Sequence, residues 1–200
     1  FDELLEQIRD IRASEKRFYQ KLRDLFALSA DYVSTEEDTQ HFFAETQNKL
    51  IYAVTGKTAA ELIISRADAA KPNMALTAWQ GTRVRKQDIY IAKNYLSNDE
   101  IDSLNRLVSI FLESAELRVK LRKTLTLDYW RETANKILMD HEVPLLRSRG
   151  QYSNATMKEI VCKEYETFEK RRKEYEAALA DKQDLQELET DIKSLQGKKE

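Results

Sequence analysis

Apolar side chains recur at helical intervals almost from the first residue of this chain. Leu4, Ile8, Ile11, Phe18, Leu22 and Leu25 alternate spacings of four and three, with Glu15 in the one vacant slot. That stripe predicts a long first helix over 1–28 with a heptad seam, and Tyr19 and Phe26 widen it enough to pack on more than one neighbour. The polar run SADYVSTEED (29–38) predicts a short acidic loop. Ser34 and Glu37 have capping-box spacing, so a second helix should start near residue 35, carry Phe42, Phe43, Leu50, Ala53 and Val54 inward, and stop at Gly56. Thr58 and Glu61 repeat the box and open a short third helix, which must turn sharply from the second.

The next stretch is the least regular. Pro72 forces Lys71 out of helical geometry, and MALTAWQGTRVRKQD follows as a loop of about 15 residues, long enough to suggest a functional role. A helix over 87–96 is expected next, burying Ile89 or Tyr90, Ile91 and Tyr95. Ser97 and Glu100 form another capping box, opening a helix with Ile101, Leu104, Val108, Phe111, Leu112 and Ala115 inside. The basic run 118–123 suits its C-terminal end. Thr126 should cap a further helix holding Trp130, Ala134, Ile137 and Leu138, with Pro144 and Gly150 marking the loop beyond.

From Thr156, spaced from Glu159 as a capping box, no glycine or proline interrupts the chain until Gly197. Val161, Tyr165, Phe168, Arg172, Tyr175 and Leu179 keep the heptad spacing; Leu185, Leu188, Ile192 and Leu195 resume it after a phase shift. A helix of about 40 residues would be about 60 Å long. Heptads at both ends permit two arrangements, the first and last helices pairing within one chain or the last pairing across a two-fold axis; the preferred one packs Val161 to Tyr175 on Phe18 to Phe26 and leaves the stripe Leu185, Leu188, Ile192 and Leu195 to a second chain. The fold class is therefore all-α: a helical bundle with a long heptad-patterned C-terminal helix. A core domain is read over 1–155, with its motif-rich centre at 40–96, followed by the terminal helix over 156–200, packed proximally and projecting distally.

Composition agrees with this. Charged residues make up 34% and hydrophobic residues 42% of the 200, with only four glycines and two prolines, and no alternating pattern argues for a sheet. A net charge of −2 excludes a protein that coats nucleic acid through overall basicity. The single cysteine, Cys162, reads as a reduced, partly buried thiol. No apolar run approaches the roughly 20 residues of a membrane span, and the start is unlike a signal peptide, so the chain reads as cytoplasmic with no membrane partner. Lacking an initiating methionine, it reads as a domain of a longer protein.

Candidate chemistry is sparse. His41 and His141 stand apart from any metal-ligand spacing, GKTAAE lacks the strand and first glycine of a phosphate loop, and no cofactor motif is present. Glu36, Glu37 and Asp38 fit a solvated helix start. The strongest candidate for chemistry is electrostatic: Arg83, Arg85 and Lys86, with Lys71 and Trp79, could contact DNA phosphates, while the favoured structural reading is that Trp79 locks the helices together through this loop. Further basic sets occur at Arg147 and Arg149 and at 170–173. Gln47, Asn48 and Lys49 suit hydrogen bonding across helices. An alternative reading, an enzyme of unfamiliar type, requires a polar pocket where His41, Asn48 and Arg66 or Asp68 converge.

The opening FDELLEQIRDIRASEKRFYQKLRDLFALSADY, the central FFAETQNKLIYAVTGKTAAELIISRADAAKPNMALTAWQGTRVRKQDIYIAKNYLSNDEIDSLNRLV and the later HEVPLLRSRGQYSNATMKEIVCKEYETF resemble the RhuM virulence-protein family over about 1–168. Family members usually read GLTxWKG where this chain has Ala75 to Gly81. The resemblance implies a bacterial protein of pathogenicity islands, found beside type I restriction-modification genes and often labelled DNA-binding, with its DNA-reading segment before Phe1. This chain would then be the C-terminal helical part: an accessory interaction domain acting as a homodimer, with DNA or another island-encoded protein as partner.

Overall fold

The computed structural model describes the backbone of residues 1–14, 16–33, 35, 37–148 and 150–196, and the side chains among these as far as residue 190. Seven α-helices and no strand occur among the described residues: α1 (Asp2–Ala13), α2 (Phe18–Phe26), α3 (Glu37–Thr55), α4 (Ala59–Arg66), α5 (Asn98–Lys120), α6 (Leu127–Asp140) and α7 (Asn154–Gln196). The all-α expectation holds, with a C-terminal helix of 43 residues.

Helix α5 is the centre of the bundle. Leu104, Leu107, Val108, Phe111, Leu112, Ala115 and Val119 are buried along it, and α1, α2 and α3 pack around it. Phe26, Phe42, Phe111 and Trp130 interlock beneath, with Phe26 and Phe42 centroids 4.9 Å apart and Phe26 and Trp130 5.2 Å apart. Each such fully buried side chain contributes about 1.5 to 3 kcal/mol of transfer free energy.

Local signals place several helix ends. Thr58 Oγ1 accepts from the Glu61 amide while Glu61 accepts from the Thr58 amide, and Ser97 and Glu100 reciprocate in the same way. Gly56 ends the α3 turn at φ +69°. Thr126 caps α6 through the Tyr129 amide. The capping role read for Ser34 lies outside the described residues.

Three expectations are corrected. The single helix over 1–28 is two helices: Ser14 leaves helical geometry at ψ 151° and its hydroxyl donates to the Ile11 carbonyl. A serine hydroxyl competing for the backbone ends α1 where the apolar stripe has its vacant slot. The helix over 87–96 is a pair of 3-10 turns, Asp88–Tyr90 and Ala92–Tyr95. There the buried Asp88 carboxylate accepts from the Arg85 amide at 2.8 Å, and the Asn94 side chain donates to the Asp88 carbonyl at 2.9 Å. Those bonds substitute for an α-helical ladder. Finally, Ser153 rather than Thr156 caps α7, accepting from the Thr156 amide at 3.0 Å.

The packing of α7 also differs from expectation. It lies chiefly on α4 and the 88–90 turn, whereas α2 packs on α1 and α5. Met157 and Val161 are buried there, and Tyr165 and Phe168 are half-buried against the core. Glu164 accepts from the Ala69 amide at 3.2 Å. Beyond Arg172 every described α7 side chain is exposed.

Candidate functional site

The five residues read as a nucleic-acid surface lie on the irregular 71–96 stretch, each with different neighbours. Lys71 is exposed, 3.9 Å from Asp68. Trp79 is half-buried and packs on the core, anchoring its loop. Arg83 reaches α7, with Nη2 3.7 Å from Glu176 Oε1. Arg85 is exposed, and its guanidinium lies close beside Gly81. Lys86 also meets α7, where hydrogen bonding to the Cys162 sulfur raises its ammonium above the ordinary value. Cys162 and Glu176 are 14 positions apart, about 21 Å along a helix axis. Two neighbours in sequence are therefore drawn out along α7, interleaved with Glu166 and Glu176. Of the further basic sets, Arg147 is exposed and Arg149 lies outside the described residues, while Arg172 bonds Glu169 at 2.8 Å.

The polar pocket required for an enzyme is not assembled. His41 is exposed near the start of α3. Asn48, further along, accepts from the Ala59 amide at 3.2 Å, which satisfies one free donor of the α4 first turn. Arg66 donates to the Tyr95 carbonyl at 2.6 Å and to Glu100 at 2.7 Å. The hydrogen bond to Glu100 holds Arg66 above its ordinary value, and the bond from Arg66, despite partial burial, holds the Glu100 carboxyl below its own. Asn48 and Arg66 are committed to structure, and neither shares with His41 any of the principal clefts among the described residues. Among those residues no group of three His, Cys, Asp or Glu side chains could hold a metal ion. No described helix is long and apolar enough to cross a membrane.

Sequence reasoning missed a cleft of about 460 Å³ between the α3–α4 turn and the 146–152 loop, lined by Tyr52, Lys57, Ser65, Gln151 and Tyr152. Glu61 closes it: burial pushes its carboxyl up, but the amides of Thr58 and Gln151 outweigh this and hold it below the usual value. Asp88 and Asn94, both buried, were also missed, because neither has a local pattern that distinguishes it from a solvated polar residue.

The distal part of α7 is the most distinctive surface. Leu179, Leu185 and Leu188 are 44%, 62% and 58% exposed. At about 100° per residue, Leu185 and Leu188 lie roughly 200° around the helix from the face carrying Val161, Tyr165 and Phe168. The apolar stripe of the arm is thus turned away from the core on which α7 sits. Ile192 and Leu195 belong to the same spacing in sequence, but their side chains lie outside the described residues.

A family model described as the virulence protein RhuM family matches residues 1–176. No curated protein and no solved structure matches the chain.

Proposed function

The chain belongs to the virulence protein RhuM family, and from that premise we propose that it is an interaction module whose projecting arm pairs with the same arm of a second copy. The observation that carries this reading is the exposure of Leu185 and Leu188 on a helix that continues to Gln196, and ideal helical spacing turns that stripe away from the face carrying Val161. A folded-back arm could not bury that stripe without breaking the helix, and no glycine or proline offers a break before Gly197. Leu185, Leu188, Ile192 and Leu195 follow three-four-three spacing, with a β-branched residue at one core position and leucine beside it, a pattern that suits two strands. A second copy supplies the same seam by symmetry, and an isologous pair closes without growing into a fibre.

The arm carries seven acidic residues against Lys182 over 174–191. Asp184 and Glu189 flank the seam, so two arms repel at low salt and the pair tightens as ionic strength rises. Sedimentation of the full chain tests this directly. The reading expects a dimer that strengthens between low and moderate salt and is lost in Leu185→Glu with Leu188→Glu. A dimer unaffected by those substitutions contradicts it.

Contact with nucleic acid through Arg83, Arg85 and Lys86 is a second reading, supported by the exposure of all three cations and by the approach of both Arg83 and Arg172 to Glu176. The carboxylates interleaved with them weaken its electrostatic case. It requires Arg83→Ala with Arg85→Ala to abolish salt-dependent retention of DNA; unchanged retention removes it.

A further inference from the structure

The α1–α2 break has a consequence for the surface it creates. It delivers Lys16 and Arg17 to the mouth of a cleft of about 450 Å³ bounded by the start of α2, the 77–78 segment, Lys93 and the first turns of α5. This volume falls within the usual range for small-molecule sites. Lys16 is committed to Asp24, with Nζ 2.6 Å from Oδ2. Among the described residues Arg17 and Lys93 form no ion pair, and Lys93 instead sits over the Tyr19 ring, 3.6 Å from its centroid.

The rest of the cleft has a different chemistry. Asn98 and Asn105 stand one above the other on α5 at helical spacing, with Ile101 between them, and Phe18 and Tyr19 form an apolar wall. Thr77, which also lines the cleft, is fixed by two bonds: its amide donates to the Asn94 carbonyl at 2.7 Å and its hydroxyl to the Leu96 carbonyl at 2.7 Å. Those bonds hold the 77–78 segment against the 92–95 turn and so place Lys93. The irregular central loop and the broken first helix, the two departures from simple helix rules, meet at this cleft.

We propose that the cleft formed by Arg17, Tyr19, Lys93, Asn98 and Asn105 binds a small organic phosphate of about mononucleotide size. Two cations that form no ion pair among the described residues match the charge of a phosphate monoester near neutral pH, whereas one carboxylate would neutralise only one of them. Arg17 supplies a planar fork for two phosphate oxygens and Lys93 a compact charge. The paired amides both donate and accept, as recognition of a heterocycle edge demands, and Ile101 with Phe18 offers it an apolar bed. Asp99 and Asp102 are nearby on α5; Asp102 is drawn off by Arg106 at 2.8 Å.

Isothermal titration of the full chain with AMP, at low ionic strength, tests this. One-to-one binding is expected, with inorganic phosphate competing. Arg17→Gln with Lys93→Gln should weaken AMP binding by about tenfold or more, the scale of one charge-assisted hydrogen bond. Arg83→Ala with Arg85→Ala should leave it unchanged. Because Lys93 also rests on Tyr19, Lys93→Arg and Asn105→Ala serve as folded controls: the first should keep affinity within about threefold, since the charge and its ring contact persist, and the second should reduce it. Absence of AMP binding at millimolar concentration overturns the proposal. So does equal affinity in the double glutamine variant, or a short oligothymidylate that binds where AMP does not.

Discussion

At the scale of single residues, the fold relies on polar groups that bridge segments distant in sequence. Arg66 and Glu100 show this best, because Glu100 simultaneously completes the α5 capping box and holds the end of α4 through Arg66. Its carboxyl is held below the ordinary value, chiefly by the Arg66 hydrogen bond. A carboxyl depressed in the folded state contributes stability that is complete above its unfolded value and is lost as pH falls through the folded one. Glu100→Gln should therefore cost about 1 to 3 kcal/mol at neutral pH. The gap to the parent chain should narrow below about pH 4.5, the ordinary carboxylate value; urea denaturation at a series of pH values reads both effects. Gly150 is a second sensitive position. Its φ is +82°, and an added Cβ would lie 2.7 Å from Thr58 Cγ2 and 2.9 Å from Thr58 Oγ1. Gly150→Ala should lower stability by about 1 to 3 kcal/mol, and an unchanged melting temperature would contradict that. The boxes at Thr58–Glu61 and Ser97–Glu100 were legible in the sequence because both partners lie within one turn. The burial of Asp88 and Asn94 was not, since it depends on what packs over them.

At the scale of elements, periodicity located the long helices and failed where side chains compete with the backbone. The stripe from Leu4 to Leu25 reads as one helix because its apolar spacing continues through the vacant slot, yet Ser14 ends α1 and both halves turn onto α5. The 87–96 segment has helical spacing too, but Asp88 and Asn94 bind the backbone there and fold it into two short turns. In α7 the phase shift between Leu179 and Leu185 was visible, whereas the surface that receives the proximal half was not: it is α4, and not the first helical stripe. Met157 is 2% exposed at this junction. Met157→Ala should destabilise the chain by about 2 to 5 kcal/mol, as removal of a buried large side chain does. Amide exchange in α7 between residues 157 and 168 should quicken more than in α5. Equal protection in both chains would place the α7 packing energy elsewhere.

At the scale of the whole molecule, a helical bundle centred on the 23-residue α5 bears one helix of 43 residues. The 43 residues of α7 extend about 65 Å, and its described side chains after Arg172 touch nothing of the core strongly enough to be buried. Membership of the RhuM family fits the helical core, since the family match ends at residue 176, where the arm begins. The exposed leucines Leu185 and Leu188 lie beyond the matched residues, and the proposed pairing of two arms would bring two such cores together. The most direct test is the mass in solution, by light scattering in reducing buffer at moderate salt, of the full chain and of a chain ending at Leu179. The expected result is about twice 23.4 kDa for the full chain and a monomer for the shortened one, with the helical core still folded by circular dichroism. A shortened chain that remains a dimer, or a full chain that is a monomer at every salt concentration, would contradict the account.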